Sequence, residues 1–170
     1  VSFVGSTPAA RAIYSVSSAS GKRVQALGGA KNHAIVLPDA DLEMASNAIM
    51  GAAYGSCGQR CMALSVVVTV GRETSDQLAN TLANKVARLT IGPGRQNLDM
   101  GPVNSAVQLD KILALVESGV SEGADLLVDG RLNNCCHQPG YFLGGCLFDN
   151  VKTGMRIYQE EIFGPVLCLI

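Results

Sequence analysis

Cys61 and the residues before it are the part of the sequence best suited to chemistry. A helical run of small residues, 45–54, leads into Ser56-Cys57-Gly58-Gln59-Arg60-Cys61, and the apolar run 66–70 follows. A cysteine on a glycine-bearing turn between two buried elements is held rigidly and can still face a cleft. Its thiolate is a good nucleophile toward a carbonyl carbon at neutral pH. The same pattern also fits a buried structural cysteine, because cysteine is among the most often buried residue types.

Two further stretches contain residue types that bind ligands. A short strand, 1–4, is followed by Gly5-Ser6-Thr7-Pro8 and a helix, which predicts free backbone N–H groups where a phosphate can sit. Near the other end, Glu160 and Glu161 stand close to Phe163 and a Gly-Pro turn, which is typical of a ligand-facing loop. Each stretch also fits a structural role, as a plain turn or as solvated charge.

The histidines and remaining cysteines give weaker patterns. His33 precedes a predicted strand and has no acidic neighbour in sequence, which favours a hydrogen-bonded structural histidine over a catalytic one. Cys57 and Cys61 with Cys135-Cys136-His137 form a possible zinc ligand set. Their spacing matches no zinc finger or ribbon, so we predict no metal site. Cys135 and Cys136 are expected on a surface turn instead.

The composition is that of a folded protein that binds neither nucleic acid nor membranes. Hydrophobic residues make up 48% and charged residues 16% of the 170 residues, and the net charge of −1 attracts no polyanion. No apolar run approaches the roughly 20 residues of a spanning helix. Six cysteines in an α/β pattern favour reduced thiols in an intracellular compartment. Because the first residue is Val1 and the last strand has no visible finish, we expect a fragment of a longer protein.

Alternating strand and helix patterns predict an α/β architecture. The predicted strands are 1–4, 22–27, 34–37, 66–70, 124–128, 141–148 and 166–170, and the predicted helices are 9–18, 42–54, 76–89 and 105–122. Thr7 is expected to cap the first helix, with Pro8 in its first turn, and either Asp39 or Asp41 to cap the second. The apolar faces expected on the last two helices are Leu78, Leu82, Val86 and Leu89, and Val107, Ile112, Leu115 and Val116.

Taken together, these segments resemble the aldehyde dehydrogenase superfamily. The residues 1–7 resemble its strand–turn–helix cofactor segment, Gly58-Gln59-Arg60-Cys61 its nucleophile motif, and 160–166 its cofactor-ribose motif. The three occur in the family's order at family-like distances across the whole chain. The resemblance implies a three-layer α/β fold. Residues 1–32 would be the end of a Rossmann-like NAD-binding domain, and residues 33–170 most of the catalytic domain.

One departure from the family pattern bears on the reaction. The family's glycine-bearing motif usually begins with a glutamate that activates water, but the corresponding stretch, 25–33, has no carboxylate at Ala26 or Leu27. That stretch and the residues around Cys61 resemble instead the methylmalonate-semialdehyde dehydrogenase branch of the family. This branch is CoA-acylating, and it passes the acyl group to CoA rather than to water.

The resemblance also implies roles for individual residues. Cys61 is the catalytic nucleophile, and its backbone N–H assists the oxyanion. Arg60 binds the substrate carboxylate through its forked guanidinium, with a structural salt bridge as the alternative. The residues implied to contact NAD are Gly5 and Ser6 at the pyrophosphate, Glu161 at the nicotinamide-side ribose and Phe163 beside the nicotinamide.

The implied activity is an NAD-dependent, CoA-acylating oxidation of malonate or methylmalonate semialdehyde, giving acetyl-CoA or propionyl-CoA with loss of carbon dioxide. The implied partners are the semialdehyde and CoA, in a homodimer or homotetramer. The implied location is the mitochondrial matrix of a eukaryote or the cytoplasm of a bacterium. Two alternatives stay open: a hydrolytic aldehyde dehydrogenase that makes a free acid, and an inactive piece with only a structural role.

Overall fold

The computed structural model describes all 170 residues and divides them into two compact units, Val1–Ala30 and Lys31–Ile170. In the first unit, strands β1 (Ser2–Val4) and β2 (Gln25–Leu27) pair in parallel, and helix α1 (Thr7–Ala19) connects them. This unit is therefore a β-α-β arrangement. None of the helices in the structure combines the length and apolar character that crossing a membrane requires.

The second unit is built on a five-stranded sheet. Its elements in chain order are β3 (Asn32–Val36), α2 (Leu42–Tyr54), β4 (Leu64–Thr69), α3 (Arg72–Ala87), α4 (Ala106–Ser121), β5 (Asp125–Val128), β6 (Cys146–Asp149), α5 (Arg156–Gln159) and β7 (Val166–Leu169). The strand order is β3-β4-β7-β6-β5. All neighbours pair in parallel except β5 and β6, which are antiparallel. The predicted α/β class is confirmed.

The core of the second unit lies where helices cover the central strands, which are buried almost throughout. In α3, the side chains four residues apart, Leu78, Leu82 and Val86, are all buried, as the helical spacing predicts. In α4, the predicted face is only partly correct. Ile112 is buried, but Val107 is 80% exposed, because it lies five residues away and on a different face of the helix.

The helix caps show that the predicted cap of α1 is wrong and that Asp41, of the two candidates, caps α2. Ser6, not Thr7, is the N-cap of α1, and Thr7 Oγ1 accepts a hydrogen bond from Gly29 N at 3.1 Å. Pro8 lies in the first turn, as predicted. Asp41 caps α2, where its Oδ1 accepts from the backbone N–H groups of the next turn at 3.0 Å.

The segment between β5 and β6 differs most from its prediction. The expected strand 141–148 is too long, since β6 begins only at Cys146. The chain before β6 packs instead on Gly130: Gly144 N donates to Gly130 O at 3.0 Å, and a side chain on either glycine would overlap the other's backbone. The surface turn predicted for Cys135 is also wrong, because this residue is buried.

Candidate active site

The turn that leads to Cys61 has a strained backbone. After α2 ends, Ser56, Cys57 and Gly58 have φ angles of 53°, 57° and 65°. A left-handed conformation costs a non-glycine residue roughly 1–2 kcal/mol, and it persists only where the surroundings impose it. Cys57 supplies part of that support, since its side chain is buried in the core, and burial raises the pKa of its thiol to about 12. Backbone strain of this kind is concentrated at functional sites.

Cys61 follows this turn, and of the six cysteines it alone is exposed. Its backbone N–H donates to no acceptor in the chain, although the flanking turn is hydrogen-bonded from Gln59 N to Ser56 O and from Ala63 N to Arg60 O. An accessible thiol therefore stands beside a free N–H donor. This pairing suits a nucleophile that generates a charged oxygen next to itself.

Asn32 holds the backbone on the other side of Cys61. At the start of β3, its Nδ2 donates to Cys61 O at 2.9 Å and to Ala63 O at 2.8 Å. Both donors of the amide are thereby used, one on the Cys61 carbonyl and one on the Ala63 carbonyl, so Asn32 holds the chain on the carboxyl side of the nucleophile. Nothing in the sequence indicates this role, because an asparagine at a strand entrance carries no periodic or charge signal.

His33, by contrast, has the structural role that the sequence favoured. Its Nδ1 lies 2.8 Å from Lys31 O and its Nε2 lies 3.1 Å from the Tyr158 hydroxyl, and the two rings pack edge to face. Both ring nitrogens are thus engaged with the protein.

The Arg60 guanidinium contacts the carboxyl end of the preceding helix, α2. Its Nη2 donates to Gly51 O at 2.6 Å and to Ala52 O at 3.0 Å, two carbonyls in the last turn of α2, and Gly51 O also accepts from the backbone N–H of Gly55. The structural alternative, a salt bridge, does not form within this chain, because none of its ion pairs includes this guanidinium. Its Nε and Nη1 have no acceptor in the chain and remain able to bind a carboxylate.

A half-buried lysine holds the start of the segment 160–166. Lys31 Nζ donates to Ile157 O at 2.6 Å and to Glu160 O at 2.8 Å, at the carboxyl end of α5. Burial lowers the pKa of this amine, while the nearby acidic groups oppose that shift. The lysine therefore fixes the point where α5 turns into the segment 160–166.

The two adjacent carboxylates of that segment differ in what they contact. Glu160 Oε1 accepts from Arg156 Nε at 2.8 Å, so this carboxylate is paired. The Glu161 carboxylate accepts no hydrogen bond from the chain, while its backbone oxygen accepts from Lys111 Nζ at 3.3 Å. Glu161 therefore presents two free acceptor oxygens, which suits a partner with hydroxyl groups. Phe163, two residues on, has a left-handed backbone with φ of 56°.

The nucleophile turn and the segment 160–166 meet in the second unit. A side chain built on Gly58 would overlap the carbonyl group of Gly164. Only a glycine allows this approach, so two segments more than 100 residues apart in sequence pack backbone against backbone. Beside the turn lies an open cleft of about 620 Å³, lined by β3, α2 and the neighbour of Cys61, Met62.

Gly5 and Ser6 lie in the first unit, at the amino end of α1. Gly5 N donates to Leu27 O at 3.1 Å, and the Ser6 side chain makes no capping hydrogen bond. The first N–H groups of the 13-residue helix have no helical partner, and together with the helix dipole they form a positive end. In β2, Ala26 and Leu27 offer no carboxylate.

The structure contains no group of three or more His, Cys, Asp and Glu side chains placed to hold a metal ion. Of the possible zinc ligands, Cys135 and Cys136 are neighbours, with their Sγ atoms 4.0 Å apart. Burial and the adjacent thiol raise the pKa of Cys135 to about 12.

Fold and site together are those of an α/β protein with an exposed cysteine at its candidate site. The chain belongs to the aldehyde dehydrogenase family, whose sequence model matches residues 1–170.

Within that family, the chain is similar to semialdehyde dehydrogenases. It is 55% identical over 172 residues to a malonate-semialdehyde dehydrogenase of Pseudomonas aeruginosa. The aligned region covers all of this chain and 35% of that protein. Among solved structures, a putative methylmalonate-semialdehyde dehydrogenase from Sinorhizobium meliloti 1021, complexed with NAD, superposes with a TM-score of 0.96 at 52% identity. A methylmalonate-semialdehyde dehydrogenase from Oceanimonas doudoroffii gives 0.96 at 50%. Both cover all of this chain, which spans 35% of their length.

Proposed function

We propose that the protein oxidises malonate or methylmalonate semialdehyde with NAD and transfers the acyl group to CoA, with loss of carbon dioxide. The observation that carries the proposal is Cys61, the exposed thiol beside an unused backbone N–H. The substrate class is supported by the names of the similar proteins. The acyl acceptor is supported by the absence of a carboxylate at Ala26 and Leu27, where the family's water-activating base is expected.

Cys61 begins the reaction as a thiolate. Its Sγ bonds to the aldehyde carbon, and the carbonyl oxygen takes up the negative charge. The Cys61 N–H donates to that oxygen, while Asn32 holds the following peptide through its hydrogen bond to Cys61 O. NAD, when bound, would accept the aldehyde hydrogen as hydride.

After oxidation, Cys61 carries the acyl group as a thioester. The CoA thiolate attacks the thioester carbon, and the bond to Cys61 Sγ breaks with return of the thiolate. Because one thiol replaces another, the leaving group is good and no strong base is needed. Before release of the product, the bond between the α carbon and the substrate's own carboxylate breaks, and carbon dioxide leaves. The electron pair stays on the α carbon as the thioester enolate, and a proton from solvent takes the place of the carboxylate, which gives the acetyl or propionyl group of the CoA product.

The residues present fit NAD. Glu161 has the unpaired carboxylate that ribose hydroxyl groups require, and Phe163 lies two residues further along the same segment. At the amino end of α1, Gly5 and Ser6 border free N–H groups that suit a pyrophosphate. We propose Arg60 for the substrate carboxylate, through the Nε and Nη1 donors that the helix carbonyls leave free.

The test is an assay of the protein expressed from its complete reading frame. NADH formation is followed with methylmalonate semialdehyde, with and without CoA, and the product is identified by mass spectrometry. We expect CoA-dependent turnover that yields propionyl-CoA. The Cys61→Ala variant is expected to lose activity by at least about a thousandfold, because the covalent step is lost. A Cys136→Ala variant serves as the matched control and is expected to stay active.

Other results would contradict the proposal in distinct ways. Formation of a free acid at the same rate with and without CoA would identify a hydrolytic dehydrogenase. Turnover that survives in Cys61→Ala would overturn the nucleophile. Absence of any aldehyde oxidation would favour a structural role.

A further inference from the structure

Gln59 connects the two segments of the candidate site. It stands between Gly58 and Arg60 in the nucleophile turn, and its side chain is half-buried. Its Nε2 donates to Phe163 O and to Asn104 Oδ1, both at 3.3 Å, and its Oε1 accepts from Asn104 N at 3.0 Å. One amide thus contacts the segment 160–166 and the segment before α4. Because Asn104 contributes both a donor and an acceptor, the orientation of the Gln59 amide is fixed.

The acceptor at Phe163 needs such support. Its left-handed φ of 56° is unfavourable for a residue with a side chain. The Phe163 carbonyl accepts a second hydrogen bond, from Gln108 Nε2 at 3.2 Å, and the same nitrogen donates to Ile162 O at 3.0 Å. Two glutamine amides from different elements therefore hold the conformation of this peptide. Only one of them, Gln59, belongs to the turn that carries the nucleophile.

We propose that Gln59 is a positioning residue that sets the geometry of the Glu161–Phe163 segment relative to the Cys61 turn. It touches no reacting atom. It acts through the Phe163 carbonyl, next to the Gly58–Gly164 contact that already brings the two backbones together. The inference rests on the proposed function insofar as Glu161 and Phe163 contact NAD. Loss of the Gln59 bridge then weakens cofactor binding and misplaces the cofactor relative to the sulfur.

Gln59→Glu tests this directly. The substitution keeps the side-chain length and the acceptor for Asn104 N. It removes the N–H donors and sets a carboxylate against Phe163 O and Asn104 Oδ1, two oxygens that cannot donate to it. In the protein expressed from its complete reading frame, we expect the KM for NAD to rise by about tenfold and kcat to fall by a similar factor. The KM for the aldehyde is expected to change far less, a split that general destabilisation would not produce.

A second measurement does not depend on activity. Hydrogen–deuterium exchange of the segment 160–166 is expected to accelerate in Gln59→Glu and in Gln59→Met, because its carbonyl loses a donor. Gln138→Glu is the matched control, since Gln138 is exposed and its side chain makes no hydrogen bond; both readouts are expected to be unchanged. Should Gln59→Glu fold poorly, Asn104→Ala removes the Oδ1 acceptor of the Gln59 amide and keeps the backbone N–H donor, and it is expected to change both readouts in the same direction by less.

The outcomes separate this inference from the proposed function. If the unsubstituted protein oxidises aldehydes, but Gln59→Glu matches it in the KM for NAD and in exchange, the positioning role is overturned and the proposed function stands. If the unsubstituted protein oxidises no aldehyde, the proposed function fails, and the exchange measurement alone decides whether Gln59 holds the segment.

Discussion

The Arg60 side chain combines a structural contact, with the end of α2, and the proposed contact with the substrate carboxylate. One guanidinium nitrogen, Nη2, donates to the Gly51 and Ala52 carbonyls at the end of α2, and Nε and Nη1 have no acceptor in the chain. A simple deletion would therefore mix two effects. Arg60→Lys separates them, because an ammonium still donates to helix carbonyls but cannot fork onto a carboxylate.

For Arg60→Lys, we expect kcat/KM for methylmalonate semialdehyde to fall by about tenfold relative to that for propanal, which has no carboxylate. Arg60→Leu is expected to show the same discrimination and, in addition, a loss of about 1 kcal/mol in the free energy of unfolding, because the helix carbonyls lose their donor. Steady-state kinetics with both aldehydes and urea unfolding provide the measurements. Equal losses for the two aldehydes would contradict a carboxylate-binding role.

Residue type marked Cys61 and the pair Glu160 and Glu161 as candidates, and the family resemblance implied the particular role of Glu161. That Glu160 is paired and Glu161 is not is visible only in the structure. Asn32 and Gln59 could not be found in this way. Their amides are uncharged, and their partners are backbone carbonyls 29 and 104 residues away. Only the folded chain brings those partners together. For Arg60, the sequence offered a salt bridge as the structural alternative, because it shows charges but not which helix carbonyls lie within reach of the guanidinium.

At the scale of elements, the approach of the nucleophile turn to the segment 160–166 depends on Gly58. Gly58→Ala is expected to lower the free energy of unfolding by about 1–3 kcal/mol or more, because its φ of 65° is unfavourable for alanine and its methyl group would overlap the Gly164 carbonyl. Urea unfolding monitored by circular dichroism measures the change.

Gly51→Ala is the matched control for Gly58→Ala. Gly51 lies in the same region, inside α2, and a methyl group there meets no atom within 4 Å. We expect it to raise the free energy of unfolding by about 0.5–1 kcal/mol, since alanine is the better helix former. Equal effects of the two substitutions would show that the close approach at Gly58 is not needed.

Elements were predicted well where one periodic signal dominated. The bounds predicted for α2, 42–54, are those observed, because Asp41 caps its start and small apolar residues continue to its last turn. The strand before β6 was predicted too long because 141–145 is apolar and glycine-rich, and sequence does not reveal that Gly144 is hydrogen-bonded to Gly130 rather than to a strand. The pairing order of the strands is likewise set by long-range contacts.

At the scale of the whole molecule, buried thiols determine how stability depends on pH. Burial raises the pKa of Cys57 and Cys146 from 9.0 to about 12 and that of Cys168 to about 11. Below pH 9 these thiols are protonated in both states. Above it, the unfolded chain releases protons that the folded chain retains, so the free energy of unfolding falls as pH rises. Lys31 has the opposite effect on the pH dependence of stability. Because its pKa is lowered in the folded chain, the unfolded chain keeps the proton on this amine up to its ordinary pKa of 10.5, and the free energy of unfolding rises with pH over that range.

Because the thiols outnumber this lysine, we expect stability to decline from about pH 9 upward, with each buried thiol contributing up to about 1.4 kcal/mol per pH unit. Cys146→Ala is expected to have a lower free energy of unfolding at neutral pH, because the substitution leaves a cavity. Above pH 9, its free energy of unfolding is expected to fall less steeply with pH, by about the contribution of one thiol. Cys168→Ala is expected to behave in the same way. Urea unfolding at a series of pH values under reducing conditions gives the slopes, and unchanged slopes in both variants would contradict the assignment.

The position of β7 has a consequence for biosynthesis. It follows β3, β4, β5 and β6 along the chain, yet it lies between β4 and β6 in the sheet. While a ribosome is still adding residues 166–169, the β3–β4 pair and the β5–β6 pair have no strand to join them. Both pairs therefore expose the inner edges that β7 will occupy, and a nascent chain stalled before this point offers chaperones two half-sheets instead of one.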